Sequence, residues 1–371
     1  MQQVVAIQIL RAVAASMVVF HHVQNDAART ALEAGASFNT SFLLPWSAGV
    51  DLFFVVSGFV MVVSSQKLFA VAGGAAHFLS RRVARIVPLY WLATTIALVA
   101  ALRGAAAGRV PAPGLGEIVA SYLFMPFPRV LDAAPRPVLS LGWTLEYEMF
   151  FYALFACFIW LERGKAVAAV AATLAALVVF NTLADPHNVA LAFWSDPIVL
   201  EFALGMGLAL LWRRGLRLSA TGALALGAAG LVALALDPMD SSSTPIDAVD
   251  PNGFLRLFSW GFPMAVVLAA AVFGPAPRES RIVRGLARIG DASYALYLFH
   301  PLALIALRKA WTALHLATWL GYWPLVALSS LASIALALVV WRWIEKPMTN
   351  AAQRLLSQAA TLKSRQAQAH G

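Results

Sequence analysis

The chain has 371 residues, 61% of them hydrophobic and only 12% charged, with a mean hydropathy of +0.75. A water-soluble protein of this length could not cover so much apolar surface. Apolar windows near twenty residues recur from end to end, which specifies an all-α, polytopic membrane protein and excludes a β-barrel built of short alternating segments. The net charge of +9 sits mostly in short connections between apolar windows, so it reads as membrane topology and not as nucleic-acid binding.

Ten membrane spans are predicted, near 4–24, 47–66, 86–102, 143–161, 166–184, 195–212, 218–236, 254–273, 289–307 and 319–343. Residues 1–349 form the membrane domain and the polar stretch 350–371 a loose tail. With the N-terminus on the cytoplasmic side, eighteen of the 27 Lys and Arg fall in cytoplasmic connections and seven on the opposite side. This asymmetry predicts cytoplasmic N- and C-termini. "AVA" at Ala12–Ala14 mimics a signal-peptide cleavage box, but it lies inside the apolar run, so the first span is read as uncleaved. The acidic segment Asp237–Asn252 reads as a mobile outer loop. "EIVASYLFMPF" at Glu117–Phe127 is apolar but too short to span; it lies on the interface or re-enters the protein. The lone cysteine, Cys157, allows no internal disulfide, and no residue cluster suggests a metal site.

Ionisable groups inside a membrane are functional candidates, because each must offset its desolvation. In span 1, "LRAVAASMVVFHHV" places Arg11 and His22 eleven residues apart. At about 100° and 1.5 Å per residue they share one face, about 16 Å apart along the axis. Gln8 and Asn25 join that face, while His21 is rotated away. The pattern reads as a polar stripe lining an interior; snorkelling of Arg11 is the plainer alternative.

In "GVDLFFVVSGF", Asp51 and Gly58 share a face. Gly58 admits close approach of a helix or ligand, and Asp51 either supports a neighbouring imidazole or caps the helix. In "RRVARIVPLYW", Arg82 and Arg85 project together, as phosphate recognition or ordinary positive-inside anchoring would require. In "GWTLEYEMFFY", Glu146 and Glu148 face different directions. In "GDASYALYLFHP", Ser293, Tyr297 and His300 share a face from which Asp291 points away. Tyr297 and His300 serve there either as polar contacts between helices or in catalysis.

Taken in order, these stretches resemble the acyltransferase-3 family of bacterial membrane acyltransferases, and within it the exopolysaccharide O-acetyltransferases. The resemblance implies about ten membrane helices, location in the bacterial inner membrane, and transfer of an acyl group from cytoplasmic acyl-CoA, acetyl-CoA above all, to a hydroxyl of an exported glycan or lipid-linked oligosaccharide. It implies His22 as the catalytic histidine, Arg11 on the CoA route, Arg82 and Arg85 as the pair serving the CoA end, and Glu148 as the acidic position of a motif that begins at Trp143. It also matches Asp51, Ser57 and Gly58 to the second-helix signature. Glu146 departs from the pattern, which has a small polar residue there. The expected mechanism has His22, supported by Asp51 or Glu148, acting as general base on the acceptor hydroxyl, with no metal. Two other classes fit intramembrane Arg, His and Glu: a transporter or flippase of glycans or lipids, for which the inverted repeats are lacking, and a non-catalytic scaffold, which leaves the polar stripe of span 1 unexplained.

Overall fold

The computed structural model describes residues 2–369 apart from 42, 133, 185–186 and 238–252. Beyond Asp237, the segment read as an acidic loop lies outside the described residues. All regular structure among the described residues is helical, relieved only by an isolated bridge between Pro128 and Pro135. In chain order the helices are α1 Gln2–Glu33, α2 Gly49–Ser64, α3 Gly74–Ala106, α4 Leu115–Tyr122, α5 Trp143–Phe158, α6 Arg163–Ala184, α7 Val189–Trp194, α8 Leu200–Arg213, α9 Ala220–Ala235, α10 Gly253–Arg256, α11 Phe262–Phe273, α12 Arg281–Asp291, α13 Ser293–Ala313, α14 Ala317–Leu320, α15 Trp323–Val340 and α16 Lys346–Ala369. π-helical turns at Leu257–Gly261 and Trp341–Glu345 join α10 to α11 and α15 to α16.

Each of the ten apolar windows falls on a helix, but their lengths differ from the expectation. Six helical stretches among the described residues are long and apolar enough to cross a bilayer, or seven if α12 and α13, bent by 76°, count as one span. The windows at 143–161 and 195–212 form helices of only 16 and 14 residues, shorter than the roughly twenty a span needs. Conversely, α1 and α3 run to 32 and 33 residues, well beyond the windows that predicted them. α16 is helical where a loose tail was expected.

The chain forms two compact units, one of Met1–Ser64 with Ala171–Leu338, the other of Ser65–Val170 with Val339–Gly371. In the first, α2 packs on α8 through glycines. A methyl group on Gly58 would overlap the carbonyl of Phe202, and one on Gly205 the carbonyl of Val55. Small residues permit this backbone contact where lipid offers no hydrophobic drive for helices to associate. The close approach expected at Gly58 is therefore made by a helix. Gly205→Val should separate the two helices and cost about 1–3 kcal/mol, read as a lower melting temperature in detergent; an unchanged melting temperature would show that the crossing has slack.

In the second unit α3 and α5 share an aromatic core. The Phe78 and Phe155 rings lie 5.1 Å apart, and Tyr90 stacks on Phe124 at 4.5 Å. The short apolar segment around α4 is held by its backbone. Tyr90 Oη donates to the Ser121 carbonyl, Trp91 Nε1 to that of Tyr122, and Ser121 Oγ accepts from Val138 N–H. Non-helical backbone thus finds partners within the protein, as it must near a membrane. In the exposed connection after it, hydrogen bonding from Arg129 holds the Asp132 carboxyl below its usual range.

Candidate active site

The polar stripe of α1 faces α12 and α13, and the two sides meet at three levels. Near the start of α1, Gln8 Nε2 donates to Asp291 Oδ1 at 2.6 Å while Gln8 Oε1 accepts from Arg11 at 3.3 Å. Gly290 makes this approach possible, since a methyl group there would overlap the Gln8 carbonyl. Fourteen residues along α1, the His22 ring stacks on His300, centroids 5.2 Å apart and planes 29° apart. One turn further, Arg308 donates to Asp26 at 2.8 Å. From Gln8 to Asp26 the seam is about 27 Å long at 1.5 Å per residue, close to the thickness of a bilayer's hydrocarbon core. Asp291, read from the helical wheel as pointing elsewhere, is part of it because the bend between α12 and α13 turns it toward α1.

The imidazole pair is the middle of the three levels. His300 is buried, and its Nδ1 lies 2.9 Å from the Tyr297 carbonyl and 3.1 Å from that of Leu296. Carbonyl oxygens only accept, so Nδ1 must carry the proton, and in the neutral ring Nε2 keeps its lone pair. His22 is half-buried and sits edge-on to His21. The Asn25 amide pairs with His21 at 2.7 Å, so Asn25 belongs to the His21 side of α1 and not to the His22 stripe.

Asp51 is bound differently from either expectation. Among the described residues its hydrogen-bond partner is neither an imidazole nor the start of α2. Its two oxygens take paired bonds from Arg256 Nε and a terminal nitrogen of the same guanidinium, both 3.0 Å. Asp51 is fully buried and the Arg256 side chain 5% exposed. Glu201 of α8, also fully buried, lies within electrostatic reach of both, and the Trp260 ring covers the guanidinium at 5.2 Å. The π-turn helps to seat this triad, because a side chain at Gly261 would collide with the Glu201 carboxyl. Two carboxyls thus share one buried guanidinium.

In the second unit, Arg82 lies between the rings of Phe78 and Tyr152, 5.5 and 5.6 Å from their centroids. The Tyr152 hydroxyl donates to Glu148, whose charge also acts on Arg82. Arg82 therefore lies within electrostatic reach of a carboxylate on its own unit. Arg85 is half-buried one turn on. Trp143 begins α5, edge-on to Tyr147. Glu146 is fully buried, and neither carboxyl oxygen has a hydrogen-bond partner among the described residues. Elsewhere, Tyr297 meets Phe53 edge to face, and Ser57 lies half-buried on α2. Among the described residues no three His, Cys, Asp or Glu gather as a metal site would need.

Sequence reasoning paired neither Glu201 nor Arg256 with Asp51, nor Arg308 with Asp26. The signal was present: Glu201 and Arg256 are charges inside predicted spans, the very feature that drew attention to Arg11.

Comparison with known proteins bears on what this arrangement serves. The chain is 32% identical over 311 residues to the exopolysaccharide production protein ExoZ of Rhizobium meliloti (strain 1021), covering 81% of this chain and 89% of that protein. It is 26% identical over 381 aligned positions to nodulation protein 10 of Rhizobium leguminosarum bv. viciae, covering 91% of each. No solved structure matches. The family model described as "Acyltransferase domain" matches residues 4–342, which takes in the whole polar seam, the buried triad and the Arg82–Glu148 cluster; the chain belongs to this acyltransferase-3 family and is a multi-pass membrane acyltransferase.

Proposed function

We propose that the protein is an O-acetyltransferase of the bacterial inner membrane, moving the acetyl group of cytoplasmic acetyl-CoA to a hydroxyl of an exported glycan or its lipid-linked repeat unit. The observation that carries this reading is the His22–His300 stack within a polar seam. It sets a half-buried imidazole against a buried one whose Nδ1 is tied to backbone carbonyls. His22 takes the acceptor proton as the new C–O bond forms and the C–S bond of the thioester breaks, and that proton then goes to the departing thiolate. Arg11, at the other end of the seam, lines the donor route; the donor-side roles of Arg82, Arg85 and Glu148 rest on the family resemblance. Asp51 holds the scaffold through Arg256. The distribution of Lys and Arg supports cytoplasmic termini and an even number of crossings, and the name of the Rhizobium meliloti relative supports an exopolysaccharide acceptor.

Membranes containing the protein, given acetyl-labelled acetyl-CoA and the polymer of a strain lacking it, should transfer label to the polymer as base-labile ester. Glycan movement without label transfer would favour a flippase and overturn the reading, as would neither.

A further inference from the structure

Helix α12 is not explained by spanning or by core packing alone. Ser280 caps it, accepting from Val283 N–H at 3.1 Å, and it turns 76° into α13. Arg281, Arg284 and Arg288 are exposed. At about 100° per residue these three and Asp291 fall within an arc of about 80°, while Ile282, Leu286 and Ile289 occupy another side. Ile282 is 75% exposed, as a lipid-facing residue would be. The arginine side ends at Asp291, which is bonded to Gln8, which in turn accepts from Arg11. A face of three guanidiniums is thus continuous with the polar seam that leads to His22, about 16 Å beyond Arg11.

We propose that the arginine face of α12 binds the phosphate groups of the acyl-CoA donor, so that the pantetheine arm runs from this face along the α1 seam to the imidazole pair. The assignment rests on the reading of acyl-CoA as donor. Guanidinium suits phosphate because it offers paired N–H donors to paired oxygens. The carboxylate that faces Arg284, Glu279 at 3.3 Å, forms an exposed ion pair of little strength that a phosphate displaces. Lipid headgroup phosphates share this chemistry. CoA is favoured because the arginines lie on the side that continues into the seam, whereas the apolar side with Ile282 is the one suited to lipid.

The test uses full-length protein in nanodiscs, with the Arg284→Gln/Arg288→Gln double variant. Its KM for acetyl-CoA should rise about ten-fold or more, as the loss of charge-assisted bonds predicts. With S-acetylpantetheine, which has no phosphates, parent and variant should share one KM. The shift should be the same in phosphatidylcholine as in phosphatidylglycerol discs. An unchanged KM, an equal rise with both donors, or a shift seen only in anionic lipid overturns the assignment while the donor reading stands. Failure of the parent to bind or turn over acetyl-CoA removes the donor reading itself, and the assignment with it.

Discussion

Asp51→Asn is expected to destabilise the protein by about 3–5 kcal/mol, because it leaves the Arg256 guanidinium buried without its paired acceptor. The geometry makes this a costly change. Both bonds are 3.0 Å, Asp51 has no exposure, and water cannot replace the lost oxygen. Arg256→Gln should be worse still. It strips Asp51 of its partner and also removes a cation that acts on Glu201. The double variant Asp51→Asn/Arg256→Gln should recover part of the loss, since two amides can satisfy one another where one charge cannot. Thermal unfolding in detergent, followed by tryptophan fluorescence, gives all three values, and the coupling energy follows from the cycle. If Asp51→Asn melts with the parent, the pair is not a structural core and Asp51 returns as a candidate for proton transfer.

The class of this protein was legible because hydropathy records the solvent a helix faces. The family was legible because Arg11, His22, Arg82, Arg85, Glu148 and His300 stand in a recognisable order. What those residues touch was not. A helical wheel showed that Arg11 and His22 share a face, yet it could not supply the opposite wall, which comes from Asp291 and His300, far along the chain. The wheel failed at Asp291 because it assumes a straight helix, and the chain bends by 76° just there. Arg82 looked like a terminal arginine since the apolar window began at residue 86, whereas α3 begins at Gly74 and brings Arg82 level with Tyr152 and Glu148. Arg281, Arg284 and Arg288 precede the apolar window at 289–307 and so read as connection, although the Ser280 cap and their spacing of three and four describe an amphipathic helix.

Replacing His22 by alanine should lower kcat by about 10²–10⁴-fold at normal abundance in the membrane, the range general-base catalysis contributes. His300 separates two ways of helping it. If His300 acts as a positioning residue through its ring face, His300→Phe keeps a flat partner for His22 and holds activity within about ten-fold, while His300→Ala loses considerably more. The pH profile then decides between the rings. A base must be unprotonated to work, so the rate should fall toward acid pH, and this acid limb should persist in His300→Phe. Loss of the limb in that variant, or a fall as deep as that of His22→Ala, would move the base to Nε2 of His300. That nitrogen is the one its backbone bonds leave with a lone pair, so the exchange of roles is chemically open and the profile resolves it. Retention of full activity by His22→Ala would remove the imidazole pair from the reaction altogether and leave the polar seam as a structural joint between α1 and α13.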